Sequence, residues 1–407
     1  MSVRRPFVPL PGYRIQPAPR PNLAWQAELA IWWREVDRVL LALIGLLMLM
    51  GTAAVLAASP AGAHRLSGAE GTLRPLYFFG QHVVWQMMAL AVLFGTSMLE
   101  RNTARRGAIL LACAMFGAML LVPFVSESVN GARRWIDFGI RFQPSEFLKP
   151  AFAVTLAWVL SWRWRVADLP LVPITGAFLA AVVALLMLQP DLGSAILFVG
   201  CWFVLVFIVG MNLQRVAVLA GSGIAALGLA YAFYDNARHR IDAFIGGGTA
   251  YDQVDLAART LIAGGWKGSG LWLGVRKMNL PEAHTDYIFS VIGEEFGLVT
   301  CAIVIVLYLA IAARVIIRLL EETDLFALLA GSGLCALFIG QAMINILVNL
   351  QLFPSKGMTL PLISYGGSST IAVALTLGLL LAFTRRNPYL SREGFDWVRP
   401  DGGKETR

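Results

Sequence analysis

Hydrophobic positions in this chain neither alternate nor recur against a polar face. They run nearly unbroken for about twenty residues at a time between short polar links. A helix rises about 1.5 Å per residue and needs roughly 20 apolar residues to cross about 30 Å of hydrocarbon. The pattern predicts ten spans, near 39–59, 79–98, 107–125, 147–161, 171–189, 192–210, 216–234, 285–313, 325–349 and 367–384. The fourth is short and the eighth is long enough to tilt or protrude. The expected fold class is all-α: a polytopic transmembrane helix bundle over 39–386, with a large extracytoplasmic loop, 235–284, between spans seven and eight. Before it, residues 1–38 form a proline-rich cytoplasmic tail without the order of a signal peptide, so it is expected to be retained. Within that tail 25–36 can form an interfacial helix, with Trp32 and Trp33 at headgroup depth. A short polar tail, 387–407, follows the bundle.

Composition excludes a soluble fold, because 57% of the residues are hydrophobic and 14% charged, against about 25% charged in ordinary globular chains. An even number of spans places both termini on one side. Arg101, Arg105, Arg106, Arg163, Arg385 and Arg386 lie in links on that side, which the positive-inside rule makes cytoplasmic. The predicted location is therefore a membrane, with both termini on its cytoplasmic side. All four cysteines fall inside spans, so neither a disulfide framework nor a cysteine metal site is indicated. The net charge of +8 points to anionic partners, first of all membrane lipid headgroups, and no nucleic-acid module is visible. A phosphate-cradling domain is also missing: the glycines of 268–274 have the wrong spacing and fall on the outer side. Any chemistry must therefore use an outer-face substrate that carries its own activation.

Two outer loops break the charge rule. The link between spans three and four carries Arg133, Arg134 and Arg141, then Glu146 and Lys149 at the top of span four. The loop between spans seven and eight carries Arg238, Arg240, Arg259, Lys267, Arg276 and Lys277, and a shorter outer loop holds Lys356. Arginine forks match phosphate oxygens bidentately, so a pyrophosphate is the natural ligand, with anionic lipids or loop carboxylates as the plain alternative. Glu146 and Lys149 share a helical face and are either a functional pair or a salt bridge that fixes packing. The start of span eight is sharper: Glu282, His284 and Asp286 cluster after Pro281. Thr285 or Asp286 can cap the new helix. Counted at 100° per residue, Gly293 and Gly297 share a face with Asp286, which would point it into the bundle, with Glu294 some two turns deeper. Asn345 and Asn349 are candidate partners for these acids, or plain interhelical hydrogen bonders. Two prolines, three glycines and three serines in 353–368 predict a re-entrant segment, and Asp191 reads as a turn or cap.

Together these pieces resemble the SEDS family (shape, elongation, division and sporulation), and within it the FtsW type. The matching stretches are 130–135, 143–149, 189–193, 281–289 with 293–297, and 361–369, in the family's order across spans three to ten; 32–38 also matches. Lys356 and Ala283 lean toward the division type over the elongation (RodA) type, whereas Asp252, Leu352 and Phe353 are less typical. The resemblance implies a peptidoglycan glycosyltransferase that polymerises lipid II at the division site. It also implies work beside a class B penicillin-binding protein transpeptidase (FtsI type) and other divisome membrane proteins. By family motif, Asp286 matches the essential aspartate. Arg133, Arg134, Lys149, Arg240, Lys277 and Lys356 would neutralise the departing pyrophosphate, with Glu146, His284 and Ser368 at the same substrate site. A divalent cation (Mg or Mn) could share that task, although no ligand cluster compels one. Two rivals remain at the level of sequence: a lipid II transporter, and a scaffold that recruits the transpeptidase.

Overall fold

The structure, a computed structural model, describes residues 25–67, 73–126, 133–137, 139, 141–164, 169–210, 253–354 and 357–386, with isolated positions between 214 and 242. The seventh predicted span, 216–234, lies outside this set apart from those positions. Helix α1 (Trp25–Glu35) belongs to one unit of the chain and the bundle, Val36–Arg386, to another.

The bundle follows the hydropathy pattern closely. Its helices are α2 (Arg38–Leu66), α3 (Tyr77–Ser97), α4 (Arg101–Val125), α5 (Pro144–Leu160), α6 (Leu171–Leu188), α7 (Leu192–Ile208), a short α8 (Gln253–Ala263), α9 (Ile288–Leu320), α10 (Leu325–Asn349) and α11 (Gly367–Thr384). Seven of them are long and apolar enough to cross a membrane. The β structure among the described residues is a short antiparallel ribbon, β1 (Ile136–Asp137) and β2 (Arg141–Phe142), in the link between α4 and α5. Helices α10 and α11 form the core: 67% and 83% of their apolar windows are buried, against 22–39% for the other long spans, whose remaining apolar surface faces lipid.

The helices alternate in direction, so the bundle has two chemically distinct ends. At one end Asp37 caps α2 and accepts hydrogen bonds from Nε of Arg314 (2.7 Å) and of Arg318 (2.5 Å) on α9. There also Arg101 grips Glu322 at 2.7 Å, and Arg385 donates to the last carbonyls of the α3 turn. Burial would raise the Asp37 carboxyl pKa, but the two guanidinium hydrogen bonds outweigh it and hold the group below its ordinary value. The other end carries Asp286.

Two irregular segments enter the bundle from the Asp286 end. In α9 the backbone breaks at Gly297, whose φ of 84° and ψ of 169° suit only glycine. The loop after α8 inserts there: Leu298 N–H donates to Gly265, while Ser269 and Gly270 N–H donate to the carbonyls of Glu294 and Glu295. The second is 357–366, the re-entrant segment expected from sequence. Its Leu362 carbonyl would lie 2.3 Å from a Cβ at Gly51, halfway along α2. Backbone at that depth needs internal partners. Gln341 supplies one to Thr359 O, Asn345 to Met358 O, Tyr308 to Pro361 O and Gln86 to Leu362 O.

Candidate active site

Asp286 lies in a turn and not in a helix. Its neighbour Tyr287 is the N-cap of α9 and makes no side-chain capping bond. The reason is tertiary. The carbonyls that would begin the helical ladder are taken by other elements: His284 O by the Tyr365 amide, Thr285 O by the Ser364 hydroxyl, and Asp286 O by Nδ2 of Asn345 (2.8 Å) and Asn349 (3.2 Å). The half-buried Asp286 carboxylate faces Gly357, where a Cβ would lie 3.3 Å from Oδ2. The face shared with Gly293 and Gly297 presupposed one continuous helix, and the turn at 286 and the break at 297 remove that premise. Gly293 instead gives room to Leu261 of α8.

Glu146 and Lys149 form a 2.6 Å ion pair at the start of α5, and the Lys149 ammonium also donates to Gln341 Oε1 at 3.1 Å. With Leu337, Phe338, Ala372, Val373 and Thr376 they line a narrow cleft between α5, α10 and α11. Gln341, Asn345 and Asn349 stand at successive i, i+4 positions on α10, forming one polar stripe. The Lys149 pair meets one end of that stripe and the Asp286 backbone the other. Gln341 was missed in the sequence, where a buried amide inside an apolar span was the available signal.

The deeper acids have other work. Glu294 accepts the backbone N–H of Arg276 (2.7 Å) and Lys277 (2.8 Å), and Glu295 accepts the Gly274 and Trp272 N–H groups. Their partners are thus the glycine-rich loop after α8, and not the asparagines. Lys277 is corrected as a pyrophosphate ligand: it is 2% exposed, and its ammonium is committed to Glu295 and to the Ala57 carbonyl. Arg134 likewise donates to the Gln189 and Pro190 carbonyls, while Arg133 is exposed and donates to Pro123 O. Arg240 and Lys356 lie outside the described residues. Ser368 is buried in the first turn of α11, its hydroxyl without a hydrogen-bond partner among the described residues. His284 packs on Phe78 at 4.1 Å between ring centroids and near Tyr365. Burial holds its imidazole pKa below the ordinary 6.5, against a smaller opposing pull from Glu282. Asp191 is a cap, accepting from Ser194 N and Oγ and from Gln143. Among the described residues no three of His, Cys, Asp and Glu converge as a metal site.

Residues 37–389 match the model of the FtsW/RodA/SpoVE family, described as cell cycle proteins. The chain belongs to that family. This is the SEDS group that its motifs resemble, and its FtsW-type relatives align over most of their length. A probable peptidoglycan glycosyltransferase FtsW from Caulobacter vibrioides is 36% identical over 366 residues, covering 89% of this chain and 93% of the relative. The corresponding Haemophilus influenzae protein is 35% identical over 374 residues, covering 86% and 91%. Among solved structures, the rod shape determining protein RodA of Thermus thermophilus superposes with a TM-score of 0.64 at 29% identity, covering 86% of this chain and 97% of that one. A chain of a peptidoglycan synthase complex, described for its coordination of polymerization and crosslinking, gives a TM-score of 0.70 at 28% identity and the same coverages. The chain is thus a multi-pass SEDS membrane protein with a RodA-like fold.

Proposed function

We propose that this protein is a peptidoglycan glycosyltransferase of the FtsW type, which polymerises lipid II on the outer face of the cytoplasmic membrane during septal wall synthesis. The observation that carries the reading is a half-buried carboxylate, Asp286, in a turn that two other elements hold out of its helix, on the same α10 stripe as the buried Glu146–Lys149 pair. The relatives' shared name supports the activity.

In this mechanism Asp286 is the general base. It takes the proton of the acceptor's 4-hydroxyl as that oxygen forms a bond to the donor's anomeric carbon. The bond from that carbon to undecaprenyl pyrophosphate breaks with inversion, and the leaving group departs with the electron pair. Arg133, Arg240 and Lys356 from the outer loops offset the charge that develops on the pyrophosphate, and the Lys149 ammonium, already held by Glu146 and Gln341, adds its field from the start of α5 without a direct contact. Glu146 sets the position of the Lys149 ammonium. Arg134 ties its loop to the turn before α7, and so acts on the site indirectly. His284 and Ser368 complete the wall of the site. Any divalent cation would have to be held by the pyrophosphate and few protein groups, and no step here depends on one.

The termini lie in the cytoplasm in this reading, the Asp286 end faces outward, and the protein works at the division site with a class B transpeptidase. The test is glycan formation from purified lipid II by the protein with its cognate transpeptidase. Asp286→Ala is expected to lower turnover by a factor of about 10²–10⁴ while the pair still assembles. Native-level polymer from that variant removes Asp286 from the mechanism. No polymer from either protein, with the partner present, favours transport.

A further inference from the structure

The backbone around Asp286 is held with more side-chain hydrogen bonds than a turn of three residues requires. Asn345, 2% exposed, donates through one amide nitrogen to both Asp286 O (2.8 Å) and Met358 O (2.7 Å). Asn349, fully buried, donates to Asp286 O at 3.2 Å and to Asn345 O at 2.9 Å. Its own Oδ1 accepts from the Ser290 amide (3.2 Å) and hydroxyl (2.7 Å). Ser364 donates to Thr285 O at 2.6 Å and accepts the Leu360 amide at 2.7 Å. These side chains bridge three elements: α10, the start of α9, and the re-entrant segment that also carries Gly357 beside the Asp286 carboxylate.

Without them the carbonyls of Thr285 and Asp286 would be free to accept from amides three or four residues ahead, so that α9 could begin earlier. Asp286 would then become an ordinary first-turn acid, its carboxylate drawn toward the free helix amides. We infer that Asn345, Asn349 and Ser364 are positioning residues, which hold the 285–286 backbone out of the α9 helix so that the Asp286 carboxylate is presented to the acceptor hydroxyl. None of them touches the reacting atoms in this scheme. The inference rests on the proposed role of Asp286 and adds what fixes that group's geometry. Small displacements of a base from its proton cost rate far more than they cost substrate affinity.

The experiment measures initial rates of lipid II polymerisation by the full-length protein with its transpeptidase, together with the melting temperature of each complex. Asn345→Leu keeps the number and branching of side-chain heavy atoms and removes both donated bonds, and Ser364→Ala removes one hydroxyl at the other end of the clamp. Ser290→Ala is the control, since Ser290 bonds the same Asn349 but not the Asp286 carbonyl. The expected result is a 10- to 100-fold loss of kcat in Asn345→Leu with KM within about threefold, a smaller kcat loss in Ser364→Ala, and near-native kcat in Ser290→Ala. Should Asn345→Leu fail to assemble, Ser364→Ala alone carries the comparison with Ser290→Ala. Equal kcat losses in Ser364→Ala and Ser290→Ala, or a raised KM with kcat intact, overturn the inference. Native kcat in Asp286→Ala overturns the reading beneath it instead, so the two failures are told apart.

Discussion

Lys277 shows how far a residue's charge can mislead when its surroundings are unknown. By position it is one more cation in an outer loop rich in them, and a pyrophosphate ligand by analogy. In the folded chain the ammonium is buried against Glu295 and a carbonyl of α2. Removing one partner of a buried pair leaves the other charge without compensation and costs about 3–5 kcal/mol. Lys277→Met is therefore expected to lower the melting temperature and the yield of folded protein, while the turnover of the molecules that do fold stays near native. A turnover loss at unchanged stability would return Lys277 to the substrate site. Glu146 and Lys149 went the other way: their i, i+3 spacing announced a pair, and the structure supplies the cleft and the third partner, Gln341.

At the scale of an element, α9 is the informative helix. Its 33 residues would rise about 50 Å if straight, well beyond the hydrocarbon thickness. The break at Gly297 exchanges part of its ladder for bonds to the loop after α8, and the acids Glu294 and Glu295 just before the break bind that loop's amides. A Cβ at 297 would lie 2.4 Å from the Trp266 carbonyl, on top of a backbone conformation that costs a non-glycine residue about 1–3 kcal/mol. Gly297→Ala is expected to loosen the loop and the helix start together, read as faster hydrogen exchange at 265–277 and a lower melting temperature. Unchanged exchange there would mean that the loop is held by Glu294 and Glu295 alone.

For the whole molecule, the two ends of the bundle do different work. The basic end is tied by Asp37 to Arg314 and Arg318, which fixes the start of α2 against the finish of α9, two helices that pack on each other. Asp37→Asn keeps a helix cap but gives up the charge. It is expected to cost on the order of 2 kcal/mol, measured as a lower melting temperature, with KM for lipid II unchanged because the substrate would sit at the other end. The sign with pH follows from the lowered Asp37 pKa. The tie is at full strength above its ordinary value of 3.8 and is lost as pH falls through the folded-state value. A raised KM in Asp37→Asn would instead couple the two ends.

The sequence by itself determined the membrane fold, nine of the ten predicted spans to within a few residues apart from the ends of α2, α4 and α9, and the segments that carry the candidate chemistry. Burial in lipid demands long apolar runs, which are local and one-dimensional, and polar groups placed among them stand out because lipid makes them costly. Which polar group answers which was decided only in three dimensions. Asn345 and Asn349 pair with a carbonyl and not with an acid, Glu294 and Glu295 hold a loop whose glycines looked uninformative, and Asp286 stands outside the helix it was expected to cap. Hydrogen bonds are short-ranged and satisfied by whatever the packing brings near. Their partners, often more than fifty residues away in the chain, leave no periodicity for a sequence to show.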